Sequence, residues 1–393
     1  MRIAFVETVK NEEDLVADHI RYHSHLGGTD FLFYIDDSTD RTADILRAFP
    51  HAVIKRSALP PHCLGQADLR WVVEKYRTHH TARQILNCHD AIAWARKNRI
   101  EWLVSIDPDE LICLDKAETR KNHLAEFLAS LPSHVNAVSF PSLEVIPTCM
   151  TYTQVFREAR LFKRNYGFGE SRRLRGEGAR SRRGNAPLPR SGLLGREETW
   201  RKWDEGAIPG ADRRLRAIVD SAAFGEYVLD VPPMILEDRR NDRVVVSDWY
   251  LGHATGKQAF RVDRDLRILS LHEVQCREVQ CREAPFQSAC PTSTTSAGCL
   301  LHYNNYSAEK FLVKYTQSGA HPPEYSSGYP VDPSKRLLRG MVNDPRVRRP
   351  ELLRWFGDTF VFGDDRLSRV ADLWNPAIER VEGVAEFFNS RRV

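Results

Sequence analysis

The stretch "WLVSIDPDELICL", Trp102 to Leu114, is an apolar run that ends in three carboxylates within four residues. A short apolar run without alternation reads as a strand covered on both faces. Asp107, Asp109 and Glu110 then stand at its carboxyl end. Pro108 interrupts ladder pairing and holds Asp107 extended, so Asp107 and Asp109 point to the same side. Two like charges so placed repel, and burying them is costly unless a cation or a donor answers them. A hard divalent cation, Mg²⁺ or Mn²⁺, prefers oxygen ligands and keeps positions open for phosphate oxygens. The plainer reading is an acidic turn before the next element.

The pattern around this run decides between the two. Ile3–Val9 is apolar, and a helical pattern from Glu12 to Leu26 stops at Gly27-Gly28. Phe31–Ile35, a helix near Arg41 to Phe49, and Ala52–Ile54 follow. A long helical stretch from Gln66 to Asn98 leads into Trp102–Ile106, and a helix near His123–Leu131 precedes Ala137–Phe140. This βαβα order predicts an α/β fold, a mostly parallel sheet flanked by helices. Ligands of open α/β sheets bind outside the carboxyl ends of the strands. Two further strands end in polar groups there: "FYIDDSTDRT" places Asp36 and Asp37 directly after an apolar run, and the first strand ends in "ETVKNEE". Three strands aiming polar groups at one edge define a site.

Composition is that of a globular chain, 42% hydrophobic and 28% charged, so disorder is not the default. The formal charge of +4 is unevenly spread. Between Arg157 and Arg216, 15 Arg and 2 Lys stand against 8 acids. "GESRRLRGEGARSRRGNAPLPRSG" has almost nothing to bury and predicts a disordered, flexible Arg-rich insertion. Such a block suits phosphates or an acidic surface, but a solvated insertion is the simpler reading. The 8 cysteines contain no CxxC pair and give no zinc signature. "VQCREVQCRE" is too short a repeat for a solenoid. The expected organisation is a sheet-edge binding half (1–150), the insertion (151–216), a second half completing the core (217–330) and a helical C-terminal extension (331–393). No apolar run is long enough to span a bilayer. The chain is therefore expected in the cytoplasm or peripherally at a membrane, or in the Golgi or endoplasmic reticulum lumen if an N-terminal anchor precedes it.

Together these blocks resemble the GT-A (Rossmann-like) glycosyltransferase core, with family 2-like and family 92-like branches nearest. "VKNEEDLVADHIRYHSHLGGTDFLFYIDDSTDRTADIL" and "RQILNCHDAIAWARKNRIEWLVSIDPDEL" carry the strand with an N-E pair, the D-D-x-S-type turn and the D-x-D-E motif. "GHATGKQAFRV", "LHEV" and "LLHYNNYSAEKFLVKY" resemble later blocks. The turn DDSTDRT is one residue shorter than usual, and the Arg-rich segment matches nothing in the pattern. The resemblance implies a metal-dependent, inverting transfer of sugar from a nucleotide-sugar donor (UDP- or GDP-sugar) to a glycan, protein or lipid acceptor. It implies that Thr8, Asn11 and Asp36 or Asp37 contact base and ribose. Asp107 and Asp109 would hold the ribose and the metal, with Arg83 and Asn87 reaching the donor from the preceding helix. Lys257 would meet a phosphate, although no P-loop is present. Glu237 and Asp238 in "PMILEDRRND" resemble a catalytic acidic pair, and an ordinary charged turn is as good an account of them. A late histidine completes the metal shell in several such families; His302 is the first candidate and His272 the second, with a packed or surface histidine as the plain alternative for each.

Three rival readings differ in kind. A silent GT-A domain would bind a glycan or partner without turnover. A nucleotidyltransferase would normally carry a Gly/Arg-rich phosphate loop after the first strand, which "VETVKNEED" lacks. Nucleic-acid binding through the Arg-rich segment would rest on charge alone, without an RRM, KH or OB signature, and is not expected.

Overall fold

The computed structural model describes residues 1–164, 193–194, 228–230, 235–238, 243–246, 256–263, 266–270, 273–276, 292–294, 298–319, 339–363 and 378–390. The predicted Arg-rich insertion lies largely outside them. Its first part does not: residues 151–164 are described, and Phe156 and Phe162 are buried.

The chain opens with β1 (Ile3–Val9), α1 (Val16–His25), β2 (Asp30–Ile35), α2 (Thr42–Arg47) and β3 (Ala52–Arg56). After α3 (Arg70–Glu74) and α4 (His80–Lys97) come β4 (Trp102–Ser105), β5 (Glu110–Cys113), α5 (His123–Ser130), β6 (Ala137–Phe140), β7 (Ser142–Val145), α6 (Val155–Glu158) and β8 (Leu161–Arg164). The long helix expected over 66–98 is interrupted at 75–79, where "KYRTH" offers no apolar period.

The later strands are β9 (Leu193–Leu194), β10 (Val228–Asp230), β11 (Ile235–Asp238), β12 (Arg243–Val246), β13 (Lys257–Arg261), β14 (Leu266–Ser270), β15 (Glu273–Cys276), β16 (Thr292–Thr294) and β17 (Cys299–His302). The described chain closes with α7 (Ala308–Gly319), α8 (Arg349–Phe360), β18 (Ile378–Arg380) and α9 (Gly383–Ser390). The expected helical tail thus includes a short strand.

A seven-stranded sheet runs in the order β16-β6-β13-β4-β1-β2-β3. Its pairs are parallel except at β13, which is antiparallel to both β4 and β6. The central strands β1, β2 and β4 are buried on both faces, as their non-alternating runs require, whereas the edge strand β3 is partly exposed. One face packs on Val16, Ile20, Leu124, Leu128, Phe387 and Phe388. The other packs on Ile85, Leu86, Ile92 and Ala95 of α4. A second, mixed sheet has the order β18-β8-β7-β17-β5. It was not anticipated, and it matters: β5 continues the carboxylate motif, and β17 lies antiparallel to it with His302 opposite Glu110. A separate small sheet holds β10, β11, β12 and β9.

Candidate active site at the carboxyl edge

Parallel pairing brings the carboxyl ends of β1, β2 and β4 to one edge, with Val9 opposite Ile35 and Val6 opposite Ser105. Two groups of polar side chains occupy that edge. The first surrounds the turn after β2. The Asp36 carboxylate is gripped by Arg83, through Nε at 2.7 Å and Nη2 at 2.9 Å, and by His80 Nδ1 at 2.9 Å. Burial opposes ionisation of Asp36, which is only 4% exposed, but the bonds from His80 and Arg83 outweigh it. They hold the carboxyl well below the usual carboxylate range. Asn11 accepts the Thr39 amide at 2.8 Å and takes φ +57°, a left-handed conformation that asparagine tolerates. Asp37 also has positive φ, and its side chain is exposed. Asn87 is fully buried and donates to Thr8 Oγ1 at 2.9 Å and Ser57 Oγ at 3.1 Å.

The second group surrounds the D-x-D-E motif. Asp107 accepts from Lys257 Nζ at 2.6 Å and from Gln84 Nε2 at 3.0 Å. The Asp107 amide donates to Glu110 Oε2 at 2.9 Å, which closes the turn, and Lys257 Nζ also stands 3.7 Å from that oxygen. Burial pushes Glu110 up to about 7. Burial also works against the charge of Lys257, but Asp107 and Glu110 reverse this and hold the ammonium above its ordinary range. Lys257 reaches them because Gly256 lies against β6: a Cβ there would stand 1.5 Å from the Phe140 carbonyl oxygen.

Asp109 faces His302, with Oδ2 and Nε2 3.5 Å apart. The Tyr303 amide donates to the Asp109 carbonyl at 2.8 Å and fixes this register. His302 Nδ1 is 2.8 Å from Glu144 Oε1. Burial disfavours the imidazolium, yet Glu144 and Asp109 prevail and raise His302 well above the usual histidine range. Lys310 Nζ, on α7 just beyond β17, lies 3.6 Å from Glu12 and 3.3 Å from Asp14.

Several expectations change. Lys257 is buried and neutralises Asp107 and Glu110, so it does not present a free charge to a phosphate. Asn87 has no exposed surface and acts as a strut between Thr8 and Ser57. Asp36 and Arg83 answer each other. The trio Asp107, Asp109 and His302 is not assembled as one shell: Asp107 turns to Lys257 and Gln84, while Asp109 turns to His302. Among the described residues, no group of three or more His, Cys, Asp and Glu side chains is arranged to hold a metal. Glu237 and Asp238 end β11 in the small separate sheet. Their side chains, and His272 altogether, lie outside the described residues. Gln84, His80, Glu144 and Lys310 were not foreseen. Gln84 had a signal, since it stands between Arg83 and Asn87 on a helix otherwise rich in buried apolar positions. Glu144 had none, because only the pairing of β7 with β17 brings it to His302.

The carboxyl edge of the sheet thus gathers a D-x-D-E turn and a histidine from far along the chain. Residues 6–165 match the model of glycosyltransferase family 92. That stretch is a glycosyltransferase family 92-like domain. No curated protein matches the chain. Among solved structures, the chain is similar to 4-diphosphocytidyl-2C-methyl-D-erythritol synthase from Anaerococcus prevotii. The identity is 10%, with 39% of this chain and 61% of that chain covered, at a TM-score of 0.22. The chain therefore spans about three fifths of that structure's length. No described helix is long and apolar enough to cross a membrane.

Proposed function

We propose that the domain transfers a sugar from a UDP- or GDP-sugar, held at the carboxyl edge of β1, β2 and β4, to a hydroxyl of a glycan, protein or lipid acceptor. The observation that carries the metal-dependent form of this reading is the approach of His302 to Asp109 across roughly two hundred residues of sequence. In that form Asp109 would supply a carboxylate to Mn²⁺ or Mg²⁺, and His302 would join it only on giving up the proton that Glu144 and Asp109 favour. When bound, the cation would neutralise the leaving diphosphate, a Lewis-acid contribution of several kcal/mol.

The chain's own groups divide the remaining work. Lys257 and Gln84 hold Asp107 rigid beside the donor. Asp37 and the Asn11–Thr39 turn offer the exposed polar groups nearest the nucleoside position. Inverting transfer needs a base for the acceptor hydroxyl, and Glu237 or Asp238 is our assignment for it. A panel of UDP- and GDP-sugars should reveal at least one donor hydrolysed or transferred with Mn²⁺ and spared with chelator. Turnover that is indifferent to chelation removes the metal from this reading; no turnover or binding of any donor removes the reading itself.

A further inference from the structure

Beyond His302, on the side away from Asp109, a cleft opens beside the second sheet. The two carboxylates flank the imidazole at opposite nitrogens, Asp109 at Nε2 and Glu144 at Nδ1. Glu144 also lines the cleft, together with Lys163, Asn304, Asn305, Phe360 and Phe362. Counted to its open mouth, the cleft measures about 370 Å³. That is the small end of the range for ligand pockets, roughly 300–1,000 Å³, and fits one ring rather than a chain of them.

The pairing of the strands explains why these groups meet. β7 lies between β8 and β17, so Glu144 stands opposite Lys163 on one flank and His302 on the other. Asn304 and Asn305 directly follow Tyr303, whose amide is tied to the Asp109 carbonyl, and this keeps the cleft in register with the D-x-D-E turn. Phe362 is held against the end of β7, its amide donating to the Pro147 carbonyl at 2.9 Å. Asn305 is 8% exposed and takes φ +51°. Its Oδ1 has no hydrogen-bond partner among the described residues. A buried acceptor in that state is costly unless a ligand or water donates to it.

The lining combines aromatic rings with a carboxylate, an amine and an amide. A carboxylate beside an amine matches neutral hydroxyls, which both donate and accept, and repels the oxygens of a phosphate. Aromatic rings match the apolar C–H face of a pyranose. Resting on the sugar-transfer reading above, we propose that this cleft is the acceptor subsite and seats the neutral terminal hexopyranose of a glycan, one of whose hydroxyls donates to Asn305 Oδ1. The donor stays on the Asp107 and Asp109 side of His302, so the two sugars meet across that ring. The assignment is independent of any bound cation.

The test uses the full chain and reads binding of the methyl glycosides of glucose, galactose and mannose by saturation-transfer NMR. Wild type should bind at least one of them. Asn305→Gly removes the amide where the positive φ suits glycine, so the backbone is kept, and it should weaken that glycoside about 3- to 10-fold. Asn304→Trp places a large ring at the partly exposed rim and should weaken it at least about 10-fold, by exclusion. Circular dichroism checks folding; if Asn305→Gly does not fold, Asn304→Trp decides. A wild type that turns over a nucleotide sugar but binds no glycoside overturns the proposal while the transfer reading stands, and the cleft then holds water only. Glycoside binding that is undiminished in both folded variants places the sugar elsewhere and also overturns it. A glycoside lost in the variants from a protein that neither binds nor turns over any donor leaves a sugar-binding cleft, but removes the acceptor role together with the transfer reading.

Discussion

The two polar groups at the sheet edge look alike in sequence, each a pair of aspartates after an apolar run, but they are built differently. Around Asp36 the charges close on themselves. One carboxylate meets a bidentate guanidinium and an imidazole, all delivered by α4. Around Asp107 and Asp109 the carboxylates outnumber the cations, and the cations come from afar, Lys257 from β13 and His302 from β17. A self-answered cluster sets shape. A cluster with carboxylates to spare, held by long-range partners, has capacity for a ligand. The comparison teaches that a D-D pair is informative only with its counter-charges in view.

The largest expected effect falls on the second cluster. Asp109→Asn should lower donor turnover by at least about 100-fold and cost about 1–3 kcal/mol of stability at pH 7 while leaving the fold intact, since His302, which holds the Asp109 carboxyl well below its usual range, loses a counter-charge. Turnover with Mn²⁺ at the wild-type rate would break the distinction drawn above, because Asp109 would then be as structural as Asp36. Next, Lys257→Ala should cost about 3–5 kcal/mol in urea unfolding, the usual consequence of leaving buried carboxylates without their cation. A loss below about 1 kcal/mol would mean that water or a bound ion already serves Asp107.

Much of this fold was legible because both-face burial writes itself into sequence. Ile3–Val9 and Ala137–Phe140 match the apolar runs residue for residue. The turn residues and the acidic motif were equally plain, since Pro108 and the clustered aspartates are local signals. What escaped were the partnerships. Nothing in "PSLEV" announces that Glu144 will meet a histidine in a strand 158 positions later, because strand order is a long-range property. The buried partners of Lys257 were hidden for a related reason. A lysine after glycine resembles a phosphate ligand until the antiparallel insertion of β13 between β4 and β6 buries it. The break at 75–79 was obscured by apolar residues on both sides; there Arg83 Nη1 donates to the Tyr76 carbonyl at 3.2 Å and ties the loop to the Asp36 cluster.

A smaller effect sharpens the comparison from the first cluster. The folded pKa of Asp36 is depressed, so its ion pair contributes stability above the unfolded aspartate value of about 3.9. That contribution is lost as pH falls through the folded value. Asp36→Asn should therefore be about 1–3 kcal/mol less stable than wild type at pH 7, and the two unfolding curves should converge in acid. A gap that persists unchanged to pH 2 would show that packing around residue 36, rather than the charge, is at stake.

The smallest effect separates structure from binding at a single hydroxyl. Thr8 lies at the carboxyl end of β1, where a nucleoside contact was expected, yet its Oγ1 accepts from the buried Asn87 amide. Thr8→Val preserves shape and removes the hydroxyl. Asn87 retains Ser57, to which its Nδ2 also donates at 3.1 Å, so the amide is not left bare. The cost in stability should stay near 0.5–1.5 kcal/mol, the net worth of one hydrogen bond. If Thr8 serves only the strut, donor KM and kcat in the variant should both match wild type within about twofold. A tenfold rise in KM with unchanged kcat would place the hydroxyl on the donor, and the first cluster would then be part of the binding surface as well as its frame.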